Sequence, residues 1–346
     1  MSPMKKLPGS CMTTAMGILP HLTIEDAMPL ALSVDIPFWP QLPHYSIYED
    51  MYVQVSENFP GIRLDEDKRK LWLDTAGFYE ELGDYAEHME DDATFEMSKQ
   101  HSRAFYDFLE EDLTGFQIIR GQTIGPLSYG LRVIDENLKP IIYNDEVRPI
   151  MFDFIARKIN AQYRQLLRKH PNVFVWMDEP GLEILFGPFS GYSSEVAKVD
   201  FKEFLDMLEG PRGVHLCGNP DWSFLLSGLD LDILSLDIYG NGQIFTRYVD
   251  EIKAFLERGA IISWGIIPTL TEEFNKENSD ELTAQLEEYW SYLSSKGIPL
   301  ELILDRAWIA PARCCLVNID GAKTVEQSFK AVHSVSRRLR EKYHLD

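Results

Sequence analysis

Val173-Phe174-Val175-Trp176-Met177-Asp178-Glu179-Pro180 is a continuous apolar run that stops at two carboxylates and a proline. A short run without polar alternation suits a strand covered on both faces, the usual state of a parallel strand. The same punctuation recurs downstream. A helical pattern over residues 201–208 stops at Gly210 and leads into a strand over 214–217. Another over 249–256 stops at Gly259 before a strand over 260–265, and a third over 282–293 stops at Gly297 before a strand over 300–308. Glycine just past a helix, with an apolar strand beyond it, makes a βαβ rhythm. Residues 233–236 add a short strand. A last helix opens with the capping-box pattern Thr324-x-x-Gln327 and carries Val325, Phe329, Val332, Val335 and Leu339 on one stripe.

Working back toward the start, residues 12–16, 37–41 and 116–122 read as three further strands, which makes eight. Repeated strand-then-helix units predict an α/β fold, a (β/α)8 TIM barrel. No G-x-G-x-x-G opens a helix after the first strand, which disfavours a doubly wound dinucleotide-binding sheet. Residues 54–113 read as a mostly helical insertion between strands two and three, near the barrel mouth. No repeat, low-complexity tract or linker divides the chain, so residues 1–346 are expected to form a single catalytic domain.

The formal charge of −22 repels nucleic acid and anionic membranes, and no basic cluster offsets it. The acidic residues crowd into residues 80–112, as on a solvated helix face. No apolar run reaches the length of a membrane span, and Pro8, Gly9, Ser10, Thr13 and Thr14 break up any signal-peptide core. The expected location is the cytoplasm. Four cysteines are too few for a secreted disulfide framework; in a reducing compartment they suit metal binding or catalysis.

Three of those thiols belong to notable stretches. His215-Leu216-Cys217-Gly218-Asn219-Pro220-Asp221-Trp222 sets an imidazole and a thiol two residues apart at a strand end, hence on one face. Asp237 ends the next strand, and Cys314-Cys315 follows the last. In a (β/α)8 barrel the chemistry sits at the C-terminal ends of the strands. His215, Cys217, Asp237 and one of Cys314 and Cys315 would meet there, with ligand types that zinc accepts. Asp178 ends strand four and Gly17 follows strand one, on the same rim.

Taken together, Met16-Gly17-Ile18-Leu19-Pro20-His21, residues 36–43, Gly125-Pro126, Asp178-Glu179-Pro180, the His215–Trp222 stretch and Pro311-Ala-Arg-Cys314 resemble the catalytic barrel of cobalamin-independent methionine synthases. The nearest likeness is to the short, single-barrel core members; a more distant one is to the uroporphyrinogen decarboxylase superfamily. The resemblance implies one zinc per chain, held by His215, Cys217, Asp237 and Cys314. It also implies homocysteine held by the Gly17-Ile18 loop and by Asp178, for methionine biosynthesis. The chain departs from the family at Asp237, where relatives carry glutamate, and at Ile18, where full-length relatives carry serine.

A free thiol is mostly protonated at neutral pH, and coordination to zinc removes the proton. Asp178 would pair with the substrate ammonium. The stretch Trp264-Gly265-Ile266-Ile267-Pro268-Thr269 offers no acid to protonate a leaving folate, whereas methylcobalamin leaves without a proton. The expected donor is therefore a methylcorrinoid, either methylcobalamin or one carried by a separate corrinoid protein, with His21 and His44 as the remaining candidate acids. The competing readings are methyl transfer to another thiol such as coenzyme M, a methylfolate-dependent methionine synthase, and a non-catalytic zinc- or thiol-binding barrel.

Overall fold

A computed structural model describes residues 7–185 and 192–345. Seven strands form one parallel sheet: β1 (Met12–Thr13), β4 (Ile119–Ile124), β6 (Val173–Asp178), β7 (Arg212–Leu216), β8 (Ile233–Asp237), β9 (Ile261–Ile267) and β10 (Ala307–Pro311). Their order is β1-β10-β9-β8-β7-β6-β4. The sequence runs that predicted β6, β8 and β9 are buried along their whole length, which is why they lack polar alternation.

The expected second strand, residues 37–41, is not a regular strand. It spans the gap between the sheet's edges by single parallel bridges, Phe38 with Arg120 and Ile18 with Gln41. Ile36 N–H donates to the Thr13 carbonyl at 2.9 Å, and Arg120 N–H to the Pro37 carbonyl at 3.0 Å. Pro37 and Pro40 have no N–H to give, so no continuous ladder can form there. The sheet is thus a curled seven-stranded one with its two edges tied by this segment.

Strand parity divides the core in two. Phe174 and Trp176 of β6, Ile233 of β8, Ile261 of β9, and Trp308 and Ala310 of β10 cluster on the inner face of the curl. Val173, Val175, Met177, Val214, Leu216, Leu234, Leu236, Ile262 and Trp264 belong to the larger core, shared with the helices. Gly213 sits on the inner face because a Cβ there would stand 2.8 Å from the Trp176 Cβ.

Three further expectations need correcting. Residues 300–308 are not one strand: Leu300–Asp305 is a helix with Pro299 at its N-cap, and β10 follows. A six-residue apolar stretch such as Leu-Glu-Leu-Ile-Leu-Asp carries too little periodicity to separate the two states. The last helix, Lys323–Tyr343, is capped by Ala322 without a side-chain bond. Thr324 lies inside it and donates its hydroxyl to Asp320 at 2.7 Å, so no capping box forms. Its five-residue apolar stripe is buried as expected, at roughly 1.5–3 kcal/mol per side chain. Residues 54–113 are less helical than expected. Besides the helices Thr75–His88 and Arg103–Glu110 they hold the antiparallel pair β2 (Ile62–Asp65) and β3 (Lys70–Leu73). To β3 is added a parallel β5 (Ile134–Asp135) from beyond β4.

Two of the three glycine helix stops adopt the left-handed conformation only glycine takes cheaply: Gly259 at φ 96° and Gly297 at φ 97°. Among the described residues no helix is long and apolar enough to cross a membrane.

Candidate active site at the strand ends

Because the strands are parallel and in register, their C-terminal ends share one rim. Asp178 pairs with His215 across β6 and β7, and His215 with Ser235 across β7 and β8. Asp178, His215 and Asp237 share the inner-face parity of Trp176, Gly213 and Ile233. Cys217 follows β7 by one residue, with the same parity. Beyond β10, Cys314 packs against the inner cluster while Cys315 belongs to the helix-facing core. Of the two candidate thiols, then, Cys314 is the one beside the site.

His215 is 5 % exposed. Its Nδ1 stands 3.0 Å from the Ser235 hydroxyl, and its ring stacks on Trp176 at 5.8 Å between centroids. Burial pushes the imidazole down to about 3, with the nearby Arg120 charge adding to the shift, so the ring is neutral at physiological pH. Its Nε2 makes no hydrogen bond among the described residues and is left as the ring's donor atom. Ser235 escaped the sequence reading; its signal is positional, two residues before Asp237 on the same face.

Asp178 is 8 % exposed, and its Oδ1 has no hydrogen-bond partner among the described residues. Burial raises its carboxyl above the usual range, while Arg120 opposes the rise. Arg120 was not anticipated either. It is fully buried, its guanidinium 3.8 Å over Trp176 and 4.6 Å over Phe38. It donates to Thr14 Oγ1 at 3.1 Å, to Gln122 Oε1 at 2.9 Å and to the Ala15 carbonyl. No carboxylate lies within ion-pair distance of it among the described residues, so Asp178 feels an uncompensated positive charge from below. The neighbouring Glu179 has a different task. Fully buried, it accepts from Leu127 N at 3.0 Å, Ser128 N at 2.8 Å and Ser128 Oγ at 2.6 Å. It thereby anchors the start of the helix Pro126–Arg132.

Both site thiols are protonated as they stand. Burial, then Asp178, Cys217 and Cys315, push Cys314 up to about 12. Burial likewise raises Cys217, with Arg313 opposing and Asp178 and Asp237 adding. Asp237 is 1 % exposed and committed twice. Oδ1 accepts from Gly240 N at 2.7 Å, capping the helix Ile238–Phe245, and Oδ2 accepts from Arg313 Nη2 at 2.7 Å. Gly17 lies against Gln122, whose Cδ would stand 2.4 Å from a Cβ placed there, and its carbonyl accepts from Gln41 N at 2.8 Å. Ile18 bridges Gln41 and is half-buried.

Residues 264–269, which the sequence shows to lack an acid, are buried rather than open at the rim. Trp264 is wholly buried on the helix side, edge-on to Phe245 and Trp290. Thr269 donates its hydroxyl to the Arg313 carbonyl at 3.0 Å. Of the candidate acids, His21 sits 3.5 Å from Glu326, and His44 Nδ1 is 3.4 Å from the Pro20 carbonyl. Glu273, on the short helix Thr271–Phe274, reaches Asp237 with its charge, and its Oε2 is buried without a hydrogen-bond partner.

Chemically, the donor set suits a thiophilic cation: a neutral imidazole nitrogen and two thiols. As placed, however, no three His, Cys, Asp or Glu side chains among the described residues stand close enough to share a metal ion. The two Asp237 oxygens are already engaged, so Asp237 would have to release Arg313 to join such a site.

No protein-family model matches the chain, and no curated protein matches it in sequence. Its fold is similar to that of a methyltransferase from Methanosarcina mazei. The two superpose with a TM-score of 0.57 at 14 % identity, over 97 % of this chain and 95 % of that one.

Proposed function

We propose that this protein is a zinc-dependent thiol methyltransferase that methylates homocysteine to methionine, with a methylcorrinoid as donor, presented by a separate corrinoid protein. What supports this reading is that Asp178, His215 and Cys217 share the inner-face parity at the ends of β6 and β7 and that Cys314 packs against the inner cluster past β10, although as placed they do not close round a metal ion. The fold-level likeness to a methyltransferase supports it. His215, Cys217 and Cys314 would hold the zinc, one per chain, with Asp237 as an exchangeable fourth ligand. A bound zinc supplies the positive charge that turns a thiol into a thiolate at neutral pH.

The chain's own residues do the rest. Ser235 and Trp176 fix the His215 ring, so that Nε2 points one way without an entropic search. Asp178, with an unpartnered oxygen and with Arg120 beneath it opposing the rise that burial causes, accepts the substrate ammonium, whose charge further favours the carboxylate. That contact sets the position of the sulfur relative to Cys217 and Cys314.

A second reading, a methylfolate donor, is favoured by Glu273, a carboxyl near enough for its charge to reach Asp237 and with Oε2 lacking a hydrogen-bond partner among the described residues. The test is metal analysis of wild type, Cys217→Ser and His215→Ala, then methylation of homocysteine by methylcobalamin and by methyltetrahydrofolate. About one zinc per chain, lost in both variants, with turnover from methylcobalamin alone, is the expected result. Wild-type zinc in either variant after chelator washing would sink the ligand assignment. Turnover from methyltetrahydrofolate without any corrinoid would replace the donor.

A further inference from the structure

Arg313 lies just past β10 with a side chain about a third exposed (31 %), paired with an Asp237 side chain that is almost wholly buried (1 %). The single bond to Asp237 is the guanidinium's only hydrogen bond among the described residues. Its other N–H groups are therefore free to bind a ligand. The anchor is rigid, because Asp237 is also fixed by the Gly240 N–H, and the Arg313 backbone is tied to Thr269. A planar fork held at one nitrogen presents its remaining N–H groups to an oxyanion in a fixed orientation once Asp237 is on Arg313 rather than on a metal.

The charges around Cys217 have a matching layout. Arg313 acts on this thiol with positive charge and Asp178 with negative charge. Asp178 is more than nine-tenths buried with Oδ1 unpartnered, an acceptor still lacking its donor. A molecule carrying an ammonium, a carboxylate and a thiol would satisfy all three features. We infer that Arg313, held by Asp237, is the receptor for the substrate carboxylate, so that the site selects an amino-acid thiol as a zwitterion; this rests on the thiol-methyltransferase reading above. Asp237 then acts as a positioning residue whenever substrate is bound.

The same oxyanion chemistry would also suit a thiol sulfonate, and binding calorimetry separates the two. The probes are L-homocysteine, the carboxylate-free 3-aminopropanethiol, and 2-mercaptoethanesulfonate, titrated into the full-length protein. Arg313→Gln should weaken L-homocysteine about tenfold or more and leave 3-aminopropanethiol within about twofold. Because Arg313→Gln leaves a buried carboxylate without its cation, Arg313→Lys, which keeps a charge beside Asp237 but not the planar fork, is measured beside it and should weaken homocysteine less than Arg313→Gln does. Unchanged homocysteine binding in both variants, or an equal loss for homocysteine and 3-aminopropanethiol in both, would overturn the receptor while leaving the thiol reading in place. Tighter wild-type binding of 2-mercaptoethanesulfonate than of homocysteine would overturn selection of the zwitterion, and a wild type that binds neither homocysteine nor 3-aminopropanethiol would overturn both proposals.

Discussion

Removing one hydroxyl, in Ser235→Ala, tests whether the His215 ring is held for a purpose. The hydroxyl is 3.0 Å from Nδ1, in a pair whose members are 5 % and 0 % exposed. No water replaces it easily, so the variant leaves a buried ring nitrogen unsatisfied, at about 1–3 kcal/mol. Unfolding entropy of about 2.1 cal/mol/K per residue amounts to roughly 0.7 kcal/mol/K for this chain, so the melting temperature should fall by about 1–4 °C. The functional cost should be larger. A ligand imidazole that loses its orienting partner typically costs about 10- to 100-fold in metal affinity. Zinc affinity is read by competition with a chromophoric chelator, and stability by thermal unfolding of the chelator-stripped protein. A normal zinc affinity alongside the expected small drop in melting temperature would refute the reasoning, because His215 would then be a core histidine and Ser235 its packing partner.

Asp178→Asn should impair methylation of amino-acid thiols by about ten- to a hundredfold while sparing simple thiols without an ammonium, because only the charge-assisted contact is removed. Equal loss with both acceptor classes, measured as kcat/KM, would make Asp178 a structural carboxylate. In chelator-stripped protein, His215 is buried neutral and titrates near 3 against about 6.5 unfolded. The stability it contributes is whole above pH 6.5 and is lost as pH falls toward 3, on the order of 5 kcal/mol in all. Wild type and His215→Asn should therefore converge in their unfolding midpoints as pH is lowered from 7 to 4; parallel curves would mean that the imidazole is not charge-excluded.

The buried parallel strands could be read directly from the sequence. Residues 173–177 are apolar throughout and 233–236 apolar but for Ser235, because both faces are covered, and Gly259 and Gly297 mark helix ends because their backbone must turn left-handed. Residue type and spacing single out His215, Cys217 and Asp237 at or beside strand ends with one of Cys314 and Cys315 past the last strand, and parity alone puts His215 and Cys217 on one face. Where local signals were weak or cancelled, only tertiary contact decided. Leu300–Asp305 is a helix and residues 37–41 an irregular bridge, because a short apolar run and a proline-broken segment take whatever state their neighbours complete. Partnerships across strands were the least legible. Ser235 meets His215, Arg313 meets Asp237, Glu179 meets Ser128, and Arg120 lies beneath Asp178 only because register and curl bring distant residues together. Residue type and spacing along the chain determine which side chains can do chemistry. Which of them are engaged, buried or left unpartnered depends on neighbours 20 to 76 residues away, and the order of the strands sets those.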